Sequence, residues 1–306
     1  MTQVTQALTP AAVAKLTTMQ LRARAIVEGH FSGQHRSPYR GASVEFADHR
    51  EYTPGDETRH IDWKVYGRRD RFFVKEYDAE TNLNVHLMVD VSGSMNYGAP
   101  VRKLEYAAYL AAGLAYLATH QRDATGLLLF DHRLRLQLPP HTKPAHLQRI
   151  FDTLDAACRG ALPPSDDDLS RETDLTAALE AATPTITRRG LVVVISDLLD
   201  DLDRVLRALA YLRHRGHDVM VLQVMDAEEL EFRFRGPALF EDLETGQRLA
   251  AQPEQLRRDY LRALHEFLAQ VRDGCRKLAI DQELLDTSRP FDQALTAYLG
   301  RRSRAR

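Results

Sequence analysis

Cysteine is scarce in this chain, with two in 306 residues, Cys158 and Cys275. They lie far apart and without a CxxC spacing, which excludes a disulfide framework and a cysteine zinc site and leaves two ordinary thiols. Long apolar runs are missing too. Nowhere do about 18 apolar residues follow one another, as a membrane-spanning helix requires, and Met1 to Thr9 lacks the basic and apolar regions of a secretion signal. The expectation is a cytoplasmic protein with no membrane span. Nor is there an excess of either charge: the formal net charge is -2, which argues against binding nucleic acid or another polyanion. Tryptophan occurs once, as Trp63, and is expected to serve packing rather than recognition. A phosphate-binding loop fails as well. Gly93 and Gly98 have its four-residue gap, but Ala99-Pro100 stand where Lys and Ser/Thr are required, so any ATPase activity belongs to a partner.

What the chain does have is 44% hydrophobic and 27% charged residues, ordinary for a globular protein of this length, which can bury a full core. Its organising stretch is Val85-His86-Leu87-Met88-Val89-Asp90-Val91-Ser92-Gly93-Ser94-Met95. An apolar run of this kind suits a strand buried on both faces, and the Asp-x-Ser-x-Ser that follows falls at its carboxyl end, where open α/β sheets bind ligands. One carboxylate and two hydroxyls suit a hard divalent cation, Mg2+ first, with Mn2+ or Ca2+ as alternatives, and suit zinc or copper poorly.

Along the chain, Thr9-Pro10 starts a helix whose apolar spacing runs to Gly29. Residues His30 to Glu80 change texture to Gly, Pro, aromatics and mixed charges, with strands expected at Ile61 to Tyr66 and Arg71 to Tyr77. Residues 1–80 are therefore read as an N-terminal helix with a small β-rich module, and 81–306 as the main domain. The nearly balanced charges make Arg68, Arg69 and Arg71 a solvated or salt-bridged face. In the main domain, helices are expected at Lys103 to His120, Lys143 to Ala157, Leu202 to Arg215, Gln255 to Arg272 and Pro290 to Leu299. Strands are expected at Thr125 to Phe130, Leu191 to Ile195, Asp218 to Val224 and Leu278 to Leu285. Arg133 to Leu138 alternates and follows a tight turn near Asp131-His132, which places one antiparallel strand at the sheet edge. A β insertion occupies about 228–252. The fold class is α/β, a doubly wound, mostly parallel sheet. The acidic run Asp166-Asp167-Asp168 reads as a solvated loop.

Three strand ends or helix starts then offer oxygen donors: Asp90, Ser92 and Ser94 from the first, Thr173 from the N-cap of a helix, and Asp197 after the third core strand. An aspartate after a buried strand is also how aspartyl-phosphate enzymes place a nucleophile, so a metal-dependent phosphatase or other hydrolase using Asp90 is the alternative. Such enzymes put a second aspartate two residues on, and here Ser92 stands there. A zinc hydrolase using His30 and His35 lacks a matched acid.

With these residues the chain resembles a von Willebrand factor A domain carrying a metal-ion-dependent adhesion site: Asp90-Val91-Ser92-Gly93-Ser94, then Thr173 and Asp197. The segments Arg40-Gly41-Ala42-Ser43-Val44-Glu45-Phe46, Pro54-Gly55-Asp56, Arg59-His60-Ile61-Asp62-Trp63-Lys64 and Arg289-Pro290-Phe291-Asp292 are similar to the bacterial domain of unknown function 58. That resemblance implies a non-enzymatic adaptor that works with a MoxR-type AAA+ ATPase in the assembly or activation of other proteins. It further implies that Ser92, Ser94 and Thr173 bind the ion directly, that Asp90 and Asp197 act through water or switch to direct contact, and that a partner or client carboxylate fills an open position.

Overall fold

The structure is a computed structural model that describes residues 9–33, 48–51, 72–76, 83–162, 177, 181, 184, 186, 188–243 and 246–304. It divides into two compact units, residues 1–35 with 83–306, and residues 36–82. The boundary expected near residue 80 is thus joined by a second near 35, because the N-terminal helices pack into the larger unit. In the smaller unit, β1 (Asp48–Glu51) pairs antiparallel with β2 (Phe73–Glu76), with Asp48 opposite Glu76. Strand β2 lies inside the strand expected at Arg71 to Tyr77. The strand expected at Ile61 to Tyr66, together with Trp63, Arg68, Arg69 and Arg71, lies outside the described residues.

In the larger unit the single N-terminal helix expected from the sequence is two, α1 (Pro10–Ala14) and α2 (Met19–Gly33). The division falls at Thr17-Thr18, where the hydroxyl of Thr18 accepts the Leu21 N–H at 3.2 Å. A β-branched hydroxyl residue serves better as a cap than inside a helix. Gly29 does not end α2. Met19, Ala23, Ile26 and Val27 form a buried stripe that continues the helix through it. The stripe lies on α3 (Lys103–His120), a largely buried helix. The two approach closely: a Cβ on Gly113 of α3 would stand 3.2 Å from the Ile26 side chain, and the Arg22 guanidinium lies 4.8 Å from the centre of the Tyr109 ring.

The central sheet contains β3 (Asn84–Asp90), β4 (Ala124–Phe130), β5 (Leu134–His141), β6 (Leu191–Ser196) and β7 (Asp218–Met225). After the small pair β8 (Ala238–Glu241) and β9 (Arg248–Ala251) comes its last strand, β10 (Asp281–Asp286). Strand order is β10-β7-β6-β3-β4-β5. All neighbours are parallel except β4 and β5, which form the expected antiparallel edge. Chain progression runs outward from β3 to β4 on one side and from β6 to β7 and β10 on the other. The boundary between β3 and β6 is therefore the topological switch point.

Both faces of the sheet are covered, which is why its strands read as continuous apolar runs. Val85, Leu87 and Val89 of β3, with Leu191, Val193 and Ile195 of β6, join a core with α2, α3, α4 (Pro144–Cys158) and α8 (Asp292–Arg304). Met88, Val192 and Val194 face the opposite core, with α5 (Leu202–His214) and α7 (Pro253–Lys277). At the amino edge, Gly190 holds β6 close to β3: a Cβ there would lie 2.1 Å from the Asn84 carbonyl oxygen, so only glycine permits the approach. The β insertion is preceded by a short helix the sequence reading missed, α6 (Ala227–Glu231), opened by Asp226 and Glu229 in a reciprocal capping box. Among the described residues, no helix is long and apolar enough to cross a membrane.

Candidate functional site

The last β3–β6 pair is Val89 with Ile195, so one residue further Asp90 and Ser196 stand side by side at the carboxyl edge of the switch point. Alternation then separates two roles. Asp90 and Ser196 share the parity of Met88 and Val194, whereas Asp197 shares the parity of Ile195 and turns to the face that carries α3. The Ser196 hydroxyl donates to Asp90 Oδ2 at 2.5 Å, and the Ser92 N–H donates to Asp90 Oδ1 at 2.9 Å. The hydroxyls of Ser92 and Ser94 lie 3.2 Å apart, in the loop and short 3-10 turn that follow β3. Asp90, Ser92 and Asp197 are each at most 3% exposed.

Burial raises the Asp90 carboxyl to about 7, and the neighbouring charge of Asp197 pushes the same way, against the hydrogen bonds from Ser196 and Ser92. Two carboxylates close enough to repel, beside two hydroxyls, form a hard-oxygen donor set that a divalent cation would relieve. Among the described residues no group of three or more His, Cys, Asp and Glu side chains is arranged to hold a metal ion. The donor set here differs in kind, since hydroxyls supply half of it. The structure therefore brings Asp90, Ser92, Ser94 and Asp197 to one edge, while Thr173 lies outside the described residues.

Sequence reading missed the residue that governs Asp197. Lys103, the first residue of α3, is wholly buried, and its ammonium donates to Asp197 Oδ2 at 2.8 Å and to Glu229 Oε1 of α6 at 2.7 Å. Burial alone would lower the lysine pKa, but Asp197 and Glu229 outweigh it and hold it above the ordinary value. Burial holds Glu229 above the usual carboxylate range despite the attraction of Lys103, and Asp197 is the larger of the two influences that raise the lysine. Asp197 Oδ1 accepts the Leu199 N–H at 3.2 Å, and its main-chain carbonyl accepts from Gln223. One signal was present in the sequence: a lone lysine opening an apolar helix, where the helix dipole disfavours a cation.

The remaining candidates are structural. His30 sits buried on α2 with its Nδ1 3.1 Å from Asp292 Oδ1, in a helix whose apolar spacing in the sequence ran only to Gly29, and His35 lies outside the described residues. Both cysteines are free, and burial pushes the Cys158 thiol up to about 12 and the Cys275 thiol up to about 11, as inert thiols require.

Among known proteins, the chain is 27% identical over 300 residues to uncharacterized proteins of Mycobacterium tuberculosis and Mycobacterium bovis, covering 96% of this chain and 91% of theirs. An uncharacterized protein of Mycobacterium avium is 30% identical over 134 residues, 43% of this chain and 77% of the relative. Two solved structures are similar, each over 72% of this chain and 99% of its own. One is the conserved hypothetical protein BatB of Bacteroides thetaiotaomicron, with TM-score 0.48 and 17% identity. The other is an aerotolerance-related membrane protein of Bacteroides fragilis, with TM-score 0.47 and 18% identity. The family model described as protein of unknown function DUF58 matches residues 48–268, and the chain belongs to that family.

Proposed function

We propose that this chain is a non-enzymatic, metal-dependent protein-binding adaptor with a von Willebrand factor A-like sheet domain. In this reading it is cytoplasmic and works with a MoxR-type AAA+ ATPase in the assembly or activation of other proteins. The observation that carries the reading is the gathering of Asp90, Ser92, Ser94 and Asp197 at the switch point, where an α/β sheet binds ligands. Ser92, Ser94 and Thr173 would hold the ion, Mg2+ first and Mn2+ or Ca2+ otherwise, with Asp90 and Asp197 acting through water or directly. An ion held mainly by neutral hydroxyls stays electrophilic, and a partner carboxylate completes its shell.

The hydrolase alternative is disfavoured by the state of Asp90. Both of its oxygens already accept hydrogen bonds, and the residue is 2% exposed, whereas a nucleophile needs a free oxygen aimed at substrate. The test is an affinity pull-down of the full chain with and without EDTA, comparing wild type with Asp90→Ala and Thr173→Ala. An AAA+ ATPase recovered only with metal and only by wild type is the expected result. Equal recovery by Thr173→Ala in metal sinks the adhesion-site mechanism, and phosphoester turnover that vanishes in Asp90→Asn while metal binding persists establishes the hydrolase.

A further inference from the structure

Lys103 occupies a position that is unfavourable twice over. It is the first residue of α3, where the exposed N–H groups repel a cation, and its side chain is wholly buried. What holds it there is a pair of carboxylates, Asp197 at 2.8 Å and Glu229 at 2.7 Å. With the Leu199 N–H on the other oxygen, Asp197 has both oxygens engaged by the protein itself. The hydroxyls of Ser92 and Ser94 lie 3.2 Å apart at the same edge.

We infer that Lys103 is a specificity-determining residue of the ion site: its ammonium holds Asp197 off direct coordination, so that a divalent cation on Ser92 and Ser94 keeps charge available for an external carboxylate. This inference rests on the metal-dependent reading above. Its chemistry is a balance of charges. A second carboxylate bound directly would neutralise the ion, tighten its binding and remove its appetite for a ligand from outside. The ammonium prevents this by taking Asp197 Oδ2 and by repelling the ion as a like charge. The outcome is a site that binds its ion weakly but presents it as a strong electrophile, matched to a glutamate or aspartate side chain of a partner. Glu229 shares the same ammonium, so α6 is fixed by the contact that sets the ion's charge.

The experiment is calorimetric titration of the full chain with Mn2+ and Mg2+, followed by titration of the ion-loaded protein with acetate as the minimal external carboxylate. Lys103→Met is expected to bind Mn2+ about tenfold more tightly, the scale of removing one like charge at short range, and to bind acetate more weakly. Because Lys103→Met leaves the buried Asp197 and the half-buried Glu229 without a cation, the double variant Lys103→Met, Glu229→Gln, which keeps the net charge, carries the decision if the single variant does not fold. Glu229→Gln alone is expected to weaken ion binding a fewfold, since the ammonium then turns wholly to Asp197. A loss of packing would lower ion affinity in every variant, so the gain is a readout that a purely structural lysine does not give. Unchanged or weaker Mn2+ binding by the folded double variant overturns the inference while wild-type binding keeps the site. Folded wild type that takes up neither ion overturns both.

Discussion

Two buried ion pairs sit at opposite edges of the central sheet, and they differ in what they leave over. At the amino edge, Arg302 of α8 grips Asp123 with two bonds, Nε to Oδ2 at 2.6 Å and Nη2 to Oδ1 at 3.1 Å, and Asp123 also accepts the Leu83 N–H ahead of β3. One carboxylate meets one guanidinium in two-pronged geometry, with both of its oxygens engaged. At the carboxyl edge, a single ammonium is shared between Asp197 and Glu229, with the Asp90 carboxyl nearby and two hydroxyls beside it. The same chemistry acts as a staple at the amino edge and, in the reading proposed above, as a receptive site at the carboxyl edge.

The strongest way to break this contrast is at the staple. Asp123→Ala leaves Arg302 buried without its partner and should cost about 3–5 kcal/mol in urea unfolding, while the folded fraction still binds Mn2+. Loss of ion binding by that folded fraction would show that the two edges are not separable. At the open edge, Asp90→Asn should reduce Mn2+ affinity about 10–100-fold yet raise the metal-free unfolding midpoint at pH 8, because it removes a charge that burial disfavours. A lower midpoint would make Asp90 a staple as well.

Protonation sharpens the distinction further. The Asp90 carboxyl is raised to about 7 in the folded chain from an ordinary value of 3.8, so between those values the folded state binds more protons than the unfolded one. Metal-free stability should therefore fall as pH rises from about 4 to 7, by up to about 1.4 kcal/mol per unit, and flatten above. Mn2+ affinity should climb over the same interval. Urea unfolding in EDTA at several pH values, wild type beside Asp90→Asn, checks the slope, which the variant should lack. The smallest effect belongs to the exposed pair of Arg24 and Glu28 on α2: Glu28→Ala should leave melting and ion binding unchanged, since water already serves both groups.

Much of this was legible in the residues because burial writes itself as pattern. The runs Leu191 to Ile195 and Val219 to Leu222 are apolar on both parities because helices cover both faces, and Asp90, Ser92, Ser94 and Asp197 stood out as oxygen side chains closing such runs. The division of the N-terminal helix was not legible, because the spacing of Val13, Leu16, Ala23 and Val27 continues across Thr17-Thr18 and only the Thr18 hydroxyl breaks it. Lys103 was taken as part of an apolar helix. Its partners lie 94 and 126 residues away, a pairing made by the crossover and not by any local period. Glu229 carried a local signal, the Asp-x-x-Glu that starts α6, which was read as the beginning of a β insertion.

Gly190 gives the sheet a form of leverage. It lies at the amino edge, about 20 Å along the strands from Asp90 at 3.3 Å per residue, and it sets how near β6 runs to β3. A methyl group there would wedge the two strands apart, and the displacement would travel down a rigid parallel pair to the gap between Asp90 and Asp197. In a screen for variants that fold but lose the Mn2+ binding proposed above, Gly190→Ala would score like the loss of a donor. The tolerance of the site to sequence drift is thus decided partly at a position that touches no ligand.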